Sequence, residues 1–248
     1  MTEPEYDDFT PEGYGALIGG LLQRGYGIAE YENVRPSSPD LVLRHDVDIT
    51  IDAALEMARI EAKIGVTSTY FVLVRSELYN PFTLLFQESV GEILSLGHKL
   101  GLHFDPTNYM TSTEEMDAAA GRECNILEQV TGAEVLTISF HRPPKAIIPY
   151  SKRLAGRIQT YSPAFINDIG YCSDSRGEWR FGRPEAHPSV IDRTALQLLT
   201  HPIWWLSQGK TREEKLVNYV RNTQDRRKKV LAENCEPYRN ILGSIFSA

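Results

Sequence analysis

The sequence predicts a parallel α/β protein with a barrel-like or open sheet. Short apolar, β-branched runs alternate with longer segments of helical periodicity, and glycines follow several of the helical segments. The 248 residues, 42% hydrophobic and 24% charged, are enough for one large core. We therefore expect a single domain over residues 1–248, with a motif-bearing core at about 40–205 and a C-terminal helix at about 211–235.

The clearest elements lie in the first 140 residues. Residues 40–44 predict a strand, and residues 51–64 predict an amphipathic helix that ends before Gly65. Residues 67–74, rich in β-branched and aromatic side chains, predict the second strand. Two further pairs of a helix, stopped by glycine, and a strand are predicted at 84–96 with 99–104 and at 113–131 with 135–140.

The pattern weakens after Arg142, where prolines break the chain into loops and short pieces. Residues 170–173 and 195–200 predict two more strands, and residues 211–232 predict a long charged helix. No repeat of roughly 20–50 residues indicates a solenoid.

Composition excludes several function classes. The net charge of −7 provides no drive toward nucleic acid, and the three separated cysteines fit a reducing compartment better than a disulfide framework. The acidic N-terminus does not match a secretory signal, and no apolar run approaches the ~20 residues of a transmembrane helix. We expect a cytoplasmic protein.

Histidine, aspartate and arginine residues stand at the ends of the predicted strands. In chain order they are Arg44, His45, Asp46 and Asp48, then His103 and Asp105, then His141 and Arg142, and last His201. Function in parallel α/β folds gathers at the carboxyl ends of the strands, so we expect these side chains to converge.

Strand alternation predicts a metal site among them. Asp46 and Asp48 can point to one side of their strand, and His103 and Asp105 can do the same. Carboxylates held close together destabilise one another unless a cation or a shared proton lies between them, so a divalent metal is the natural occupant. Mixed imidazole and carboxylate ligands suit zinc, and also iron, cobalt, nickel or manganese.

Each of these residues also has a purely structural interpretation. Asp48 can cap the helix at 51–64, Arg142 can be an ion-pair partner, and Asp174 with Trp179 can form a turn with a packed indole. Only the joint pattern favours function. Three other histidines are expected to be structural, namely His45, His98 and His187.

Four segments carry a resemblance to a known family. They are Arg-His-Asp-Val-Asp at 44–48, Gly-Val-Thr-Ser-Thr-Tyr-Phe-Val at 65–72, Gly-His-Lys-Leu-Gly-Leu-His-Phe-Asp at 97–105 and Phe-His-Arg-Pro-Pro at 140–144. The sequence thereby resembles the polysaccharide deacetylase superfamily, the NodB-homology domain, and within it the WbmS-type proteins of bacterial O-antigen clusters. The resemblance implies a distorted (β/α) barrel of about seven strands.

The resemblance also implies a set of metal ligands. By position, Asp48 matches the metal-binding aspartate, and His103 matches the first histidine of the second motif. The second histidine of that motif falls on Thr107. A protein ligand is therefore missing unless Asp105 or His141 replaces it.

The remaining motifs imply catalytic roles. Asp46 matches the base and Arg142 the arginine that orients it, while Asp174 matches a partner of that arginine. Trp179 matches a wall of the acyl pocket, and His201 matches the general acid.

The expected substrate is an N-acetylated sugar in a nucleotide-linked or lipid-linked precursor of a surface polysaccharide. Trp179, Tyr171, Pro144 and Trp204 are expected to contact it, although aromatic side chains of this kind also form cores. Two alternatives stay open: another C–N hydrolase of the superfamily, such as a deformylase or cyclic amidase, and a non-catalytic carbohydrate-binding relative.

Overall fold

The structure, a computed structural model of the chain, describes residues 9–109 and 112–245. These residues fall into two compact units that divide between Leu206 and Ser207. The first unit holds the whole sheet, and the second consists of two helices. The single domain over residues 1–248 stays a prediction.

The sheet of the first unit is parallel throughout. Its strands are β1 (Gly27–Ile28), β2 (Asp40–Val47), β3 (Thr69–Leu73), β4 (Lys99–Phe104), β5 (Thr137–Phe140), β6 (Ile158–Gln159), β7 (Gly170–Ser173) and β8 (Leu196–Thr200). They are ordered β6-β5-β4-β3-β2-β8-β7, with β1 beside the start of β2. The predicted fold class, an α/β protein with about seven barrel-forming strands, is confirmed.

The sheet curls into a partial barrel. β2 and β6 are four positions apart in the strand order, which in a flat sheet would separate them by about 19 Å. Yet Nη1 of Arg44, on β2, lies 3.0 Å from Oγ1 of Thr160, directly after β6. Side chains on the inner face of the sheet therefore meet across its interior.

Helices of the first unit cover the outer face of the sheet. In chain order they are α1 (Pro11–Gln23), α2 (Ile51–Ile64), α3 (Leu84–Ser95), α4 (Thr113–Thr131), α5 (Pro163–Ile166), α6 (Pro188–Asp192) and α7 (Pro202–Leu206). The two helices of the second unit are α8 (Arg212–Asn234) and α9 (Glu236–Ile245). The predicted bounds of α2 and α4 agree with the structure because Gly65 and Gly132 end them in the left-handed conformation. Within the described residues, no helix is long and apolar enough to cross a membrane.

The strands predicted at 67–74 and 135–140 begin two residues later, at Thr69 and Thr137. The helix α1 was not predicted, although Thr10 caps it by accepting a hydrogen bond from the amide of Gly13. Glycines interrupt the apolar pattern of this helix and weaken its periodic signal.

β2 is buried on both faces and separates two environments. Leu41 and Leu43 join the main core with the helices, whereas Arg44 and Asp46 point into the interior of the curl. The alternation predicted for this strand is therefore present, and it places charged groups inside the barrel.

Candidate metal centre

Four strands bring their carboxyl ends to one edge of the sheet. Asp48 directly follows β2, His103 is the second-to-last residue of β4, His141 directly follows β5, and His201 directly follows β8. The amide of His141 donates to the carbonyl of Phe104 and so extends the pairing of β4 with β5 up to the site. The fold therefore brings these side chains together at one edge of the sheet, as the sequence predicts.

Asp48, His103 and His141 form a tight group of three metal-binding side chains. Oδ1 of Asp48 lies 3.0 Å from Nε2 of His103 and 3.2 Å from Nδ1 of His141, and the two ring nitrogens are 3.1 Å apart. On its other side, Nδ1 of His103 is 3.2 Å from the carbonyl oxygen of Ser139. A carbonyl can only accept, so this contact puts the proton of His103 on Nδ1 and turns the lone pair of Nε2 toward the group.

The three atoms fit a divalent transition metal. Ligand atoms of a tetrahedral zinc site lie about 3.3 Å apart when the bonds are about 2.0 Å long, close to the three distances in this structure. Oδ1 of Asp48 is buried and has no aligned hydrogen-bond donor, although two imidazole nitrogens approach it. Burial raises the pKa of Asp48, but the surrounding histidines hold it well below its usual range. The donor set is thus an ionised carboxylate with two imidazoles, which suits zinc and its transition-metal neighbours.

His141, rather than Asp105, completes the group. Oδ2 of Asp105 accepts a 2.7 Å hydrogen bond from Arg142, and Oδ1 accepts from the amide and the hydroxyl of Thr107. With both oxygens used, the Asp105 carboxylate is not part of the three-residue group. The structure therefore favours one of the two replacements that the sequence left open.

Arg44, not Arg142, holds the expected base. The guanidinium of Arg44 donates to both oxygens of Asp46, at 2.9 and 2.8 Å, and both side chains are buried. Arg44 also donates to Ser139 and to Thr160. Burial raises the pKa of Asp46, but Arg44 together with the nearby His103 and His201 outweighs burial and lowers the pKa below its usual range.

The expectation that Arg142 orients Asp46 is thus not met. The guanidinium of Arg142 is exposed and pairs with Asp105, and the backbone of Arg142 has a positive φ of 47°. The sequence signal for Arg44 was available, since residues two apart on a strand share a face and a buried carboxylate needs a partner.

Asp174 and His201 form a second buried pair. Nδ1 of His201 is 2.6 Å from Oδ1 of Asp174, which also accepts from the amide of His201, while Oδ2 accepts from the indole of Trp205. Burial lowers the pKa of His201, but the charge and hydrogen bond of Asp174, together with the charges of Asp48 and Asp46, outweigh burial and raise the pKa to about 9. Nε2 of His201 faces the metal group, 3.8 Å from Oδ2 of Asp48. Asp174 is therefore the partner of His201, not of an arginine.

The aromatic residues expected to contact a sugar lie in several places. Trp179 packs against Trp205, with ring centroids 6.1 Å apart. Burial raises the pKa of the Tyr171 hydroxyl, and the charge of the Asp46 carboxylate raises it further. Trp204 packs on the core, and Pro144 precedes a short 3-10 turn. Trp205 is buried and donates its indole N–H to Asp174.

A pocket of about 410 Å³ opens beside the metal group. It is lined by Asp48, Leu73, Arg75, Ser76, Glu77, Leu78, Asp105, Glu123, His141 and Arg142. None of the four predicted sugar-contacting residues lines it, so their contact with substrate stays a prediction. On the pocket wall, Nε of Arg75 is 3.0 Å from Oε1 of Glu123, and burial raises the pKa of Glu123 to about 7 against the opposing effect of Arg75.

Comparisons with known proteins give a likeness of fold only. No family model and no curated protein matches the sequence. A family 4 carbohydrate esterase from Bacillus anthracis shares 15% identity over 86% of each chain with a TM-score of 0.42. A Streptococcus mutans CE4 esterase shares 16% identity over 75% of this chain and 82% of that chain, with a TM-score of 0.46.

A CE4 family pseudoenzyme from Bacillus anthracis shares 15% identity over 77% of this chain and 63% of that chain, with a TM-score of 0.42. The chain covers between 63% and 65% of the length of this protein and of two of its mutants. Similarity at this level does not extend to activity.

Proposed function

We propose that the chain is a metal-dependent carbohydrate N-deacetylase of the polysaccharide deacetylase superfamily, which hydrolyses the amide of an N-acetyl sugar. The arrangement around the metal group carries this proposal. Oδ2 of Asp46 lies 3.6 Å from Nε2 of His103, and Nε2 of His201 lies 3.8 Å from Oδ2 of Asp48. A proton acceptor and a proton donor therefore both border the same three ligands, as amide hydrolysis requires.

Asp48, His103 and His141 would hold the metal, for which zinc is our proposal. A bound divalent cation supplies Lewis-acid chemistry, polarising the amide carbonyl and making water more acidic. Three protein ligands would leave room for water or substrate beside the metal, which is typical of catalytic rather than structural zinc.

Asp46 is the proposed general base. Arg44 keeps its carboxylate ionised and fixes both of its oxygens, so Oδ2 can take a proton from water as the water oxygen adds to the carbonyl carbon. Because Arg44 is buried and bonded to Ser139 and Thr160 as well, the base is held rigidly.

His201 is the proposed general acid. The carboxylate of Asp174 favours the protonated ring and orients it through Nδ1, which leaves the Nε2 proton directed at the metal group. As the C–N bond breaks, this proton passes to the amine nitrogen of the sugar. The immediate products are acetic acid and a free amino sugar, and the acid then loses its proton to the amine or to solvent. The proton that Asp46 took from water returns to His201 through solvent, which restores both groups.

The pocket supports a sugar-sized substrate. A volume of about 410 Å³ lies in the range of small-molecule sites, and Arg75 with Glu123 offers donors and acceptors for hydroxyl groups. The resemblance to WbmS-type proteins supports a precursor of a bacterial surface polysaccharide such as O-antigen, linked to a nucleotide or a lipid and modified in the cytoplasm.

Acetate release from N-acetyl sugars, free and nucleotide-linked, tests the proposal. We expect Asp46→Asn and His201→Gln each to lower turnover by ~10²–10⁴-fold while the protein stays folded. His187→Gln, a histidine that caps α6 and is not part of the metal group, is the matched control and should keep wild-type turnover. Release of formate or opening of a cyclic amide instead, or sugar binding without turnover, would contradict the proposal.

A further inference from the structure

A second polar cluster lies on the other face of β2, outside the metal centre. Glu61 on α2 is fully buried and accepts hydrogen bonds from the hydroxyls of Tyr14 at 2.6 Å, Ser68 at 2.6 Å and Tyr70 at 2.7 Å. Nε2 of His45 lies 2.8 Å from the same carboxylate. A buried carboxylate with this many donors is stable in its ionised form, so the cluster is a fully connected polar network.

The network continues to the strand that carries His201. Nδ1 of His45 is 2.7 Å from Oγ1 of Thr200, and the two residues are register partners on β2 and β8. His45 precedes Asp46 in the chain, and Thr200 precedes His201. The chain of contacts from Glu61 through His45 to Thr200 therefore ends at the residues that directly precede Asp46 and His201, two residues of the proposed reaction.

Glu61, His45 and Thr200 are connected in the same order as the acid, base and nucleophile of a catalytic triad, but they cannot act as one. Glu61, His45 and Thr200 are each 0% exposed, and none of them lines the pocket beside the metal group. A substrate carbonyl therefore has no route to Oγ1 of Thr200. The network must act through the residues that it holds.

The pairing of β2 with β8 stops at this point. Its register runs from Leu41 with Leu196 to His45 with Thr200, and Asp46, Asp48 and His201 lie beyond the last pair. On the helix-covered face of β2, the contact between the His45 and Thr200 side chains is therefore the last one between β2 and β8 before Asp46 and His201.

We propose that Glu61, through His45 and Thr200, is a positioning residue that sets the separation of His201 from Asp48. This inference rests on the proposed function, because it assigns His201 and Asp48 their roles in one reaction. Without the network, the end of β8 would be held by its backbone pairing with β2 and β7 and by the hydrogen bonds between Asp174 and His201. A displacement of about 1 Å between reacting groups can cost on the order of 10²-fold in rate.

Thr200→Val and Thr200→Ser form the decisive pair. Valine keeps the shape but removes the hydroxyl, whereas serine keeps the hydroxyl. We expect Thr200→Val to lower kcat by about 10- to 100-fold with KM changed less than about twofold, and Thr200→Ser to restore most of kcat. Metal content should equal that of the wild type in both variants, since β8 contributes none of the three ligands.

Thr137→Val is the matched control, because Thr137 is a buried strand threonine outside the network. If Thr200→Val lowers only thermal stability, as Thr137→Val should, and keeps wild-type kcat, the network is structural and the inference is overturned. An equal loss of kcat in Thr200→Val and Thr200→Ser overturns it as well. If Thr200→Val does not fold, Tyr70→Phe removes one hydroxyl from Glu61 and should give a smaller loss of kcat without a change in KM.

A readout without substrate separates this inference from the proposed function. The NMR signals of the His201 ring should move in Thr200→Val and return toward their wild-type positions in Thr200→Ser. If the wild type releases no acetate but these signals move as expected, the proposed function fails and the positioning role stands. Unchanged His201 signals in Thr200→Val would overturn the positioning role whatever the activity.

Discussion

Replacing Glu61 with glutamine should destabilise the protein in a way that depends on pH. Burial raises the pKa of Glu61, but His45 and the hydroxyl donors outweigh it and lower the pKa from the ordinary 4.5 to about 2. This difference between the unfolded and the folded pKa of Glu61 corresponds to about 3 kcal/mol of unfolding free energy at neutral pH. Because the folded-state pKa is the lower one, this contribution is complete above the unfolded pKa and is lost as the pH falls toward 2.

A protonated Glu61 and the glutamine of the variant are both neutral and nearly the same shape. The difference in unfolding free energy between wild type and Glu61→Gln should therefore shrink by about 2 kcal/mol between pH 7 and pH 3. Urea unfolding followed by circular dichroism at several pH values measures it. Glu56→Gln, a half-exposed position on the same helix, should cost less than about 1 kcal/mol at every pH. A difference for Glu61→Gln that stays constant with pH would refute the reasoning.

Three other substitutions test the fold and the interior of the barrel. Arg44→Met leaves Asp46 charged, buried and unpaired, so it should cost about 3–5 kcal/mol in urea unfolding, and a loss below about 1 kcal/mol would contradict the ion pair. Gly101→Ala puts a methyl group against the ring of Phe71 and should cost about 1–3 kcal/mol, visible as a lower Tm, whereas an unchanged Tm would show that the ring moves freely. Thr10→Ala removes the cap of α1 and should cost about 1 kcal/mol; a stability equal to wild type would argue against the cap.

Local rules were enough for the central elements of the fold. α2 and α4 were predicted with the right bounds because each combines an apolar stripe with a glycine that can take a positive φ, at Gly65 and Gly132. β6 has only two residues, and no periodicity can show in so short a segment. Its place in the sheet depends on tertiary pairing with β5, which a single sequence does not display.

The candidate site was predictable where chemistry is local to a strand end. Asp48, His103 and His141 were all among the predicted ligands, and the structure brings them together. The choice between His141 and Asp105 was not predictable, because it depends on Arg142 turning toward Asp105 at a positive φ.

The walls of the site were the least predictable part. Arg75 and Glu123 meet at the pocket, although one follows β3 and the other lies in the middle of α4. Nothing in the spacing of two residues so far apart in the chain indicates that they touch. Contacts of this kind depend on how the sheet curls and on how its helices pack, and both follow from the whole sequence.

Metal content of three proteins tests the central claim most directly. After loading with zinc and removal of the excess, plasma mass spectrometry should find about one equivalent in the wild type and in Asp105→Asn. His141→Gln should lose that equivalent, because it removes one corner of the group formed with Asp48 and His103. Loss of metal from Asp105→Asn with retention in His141→Gln, or no metal in the wild type, would contradict the account.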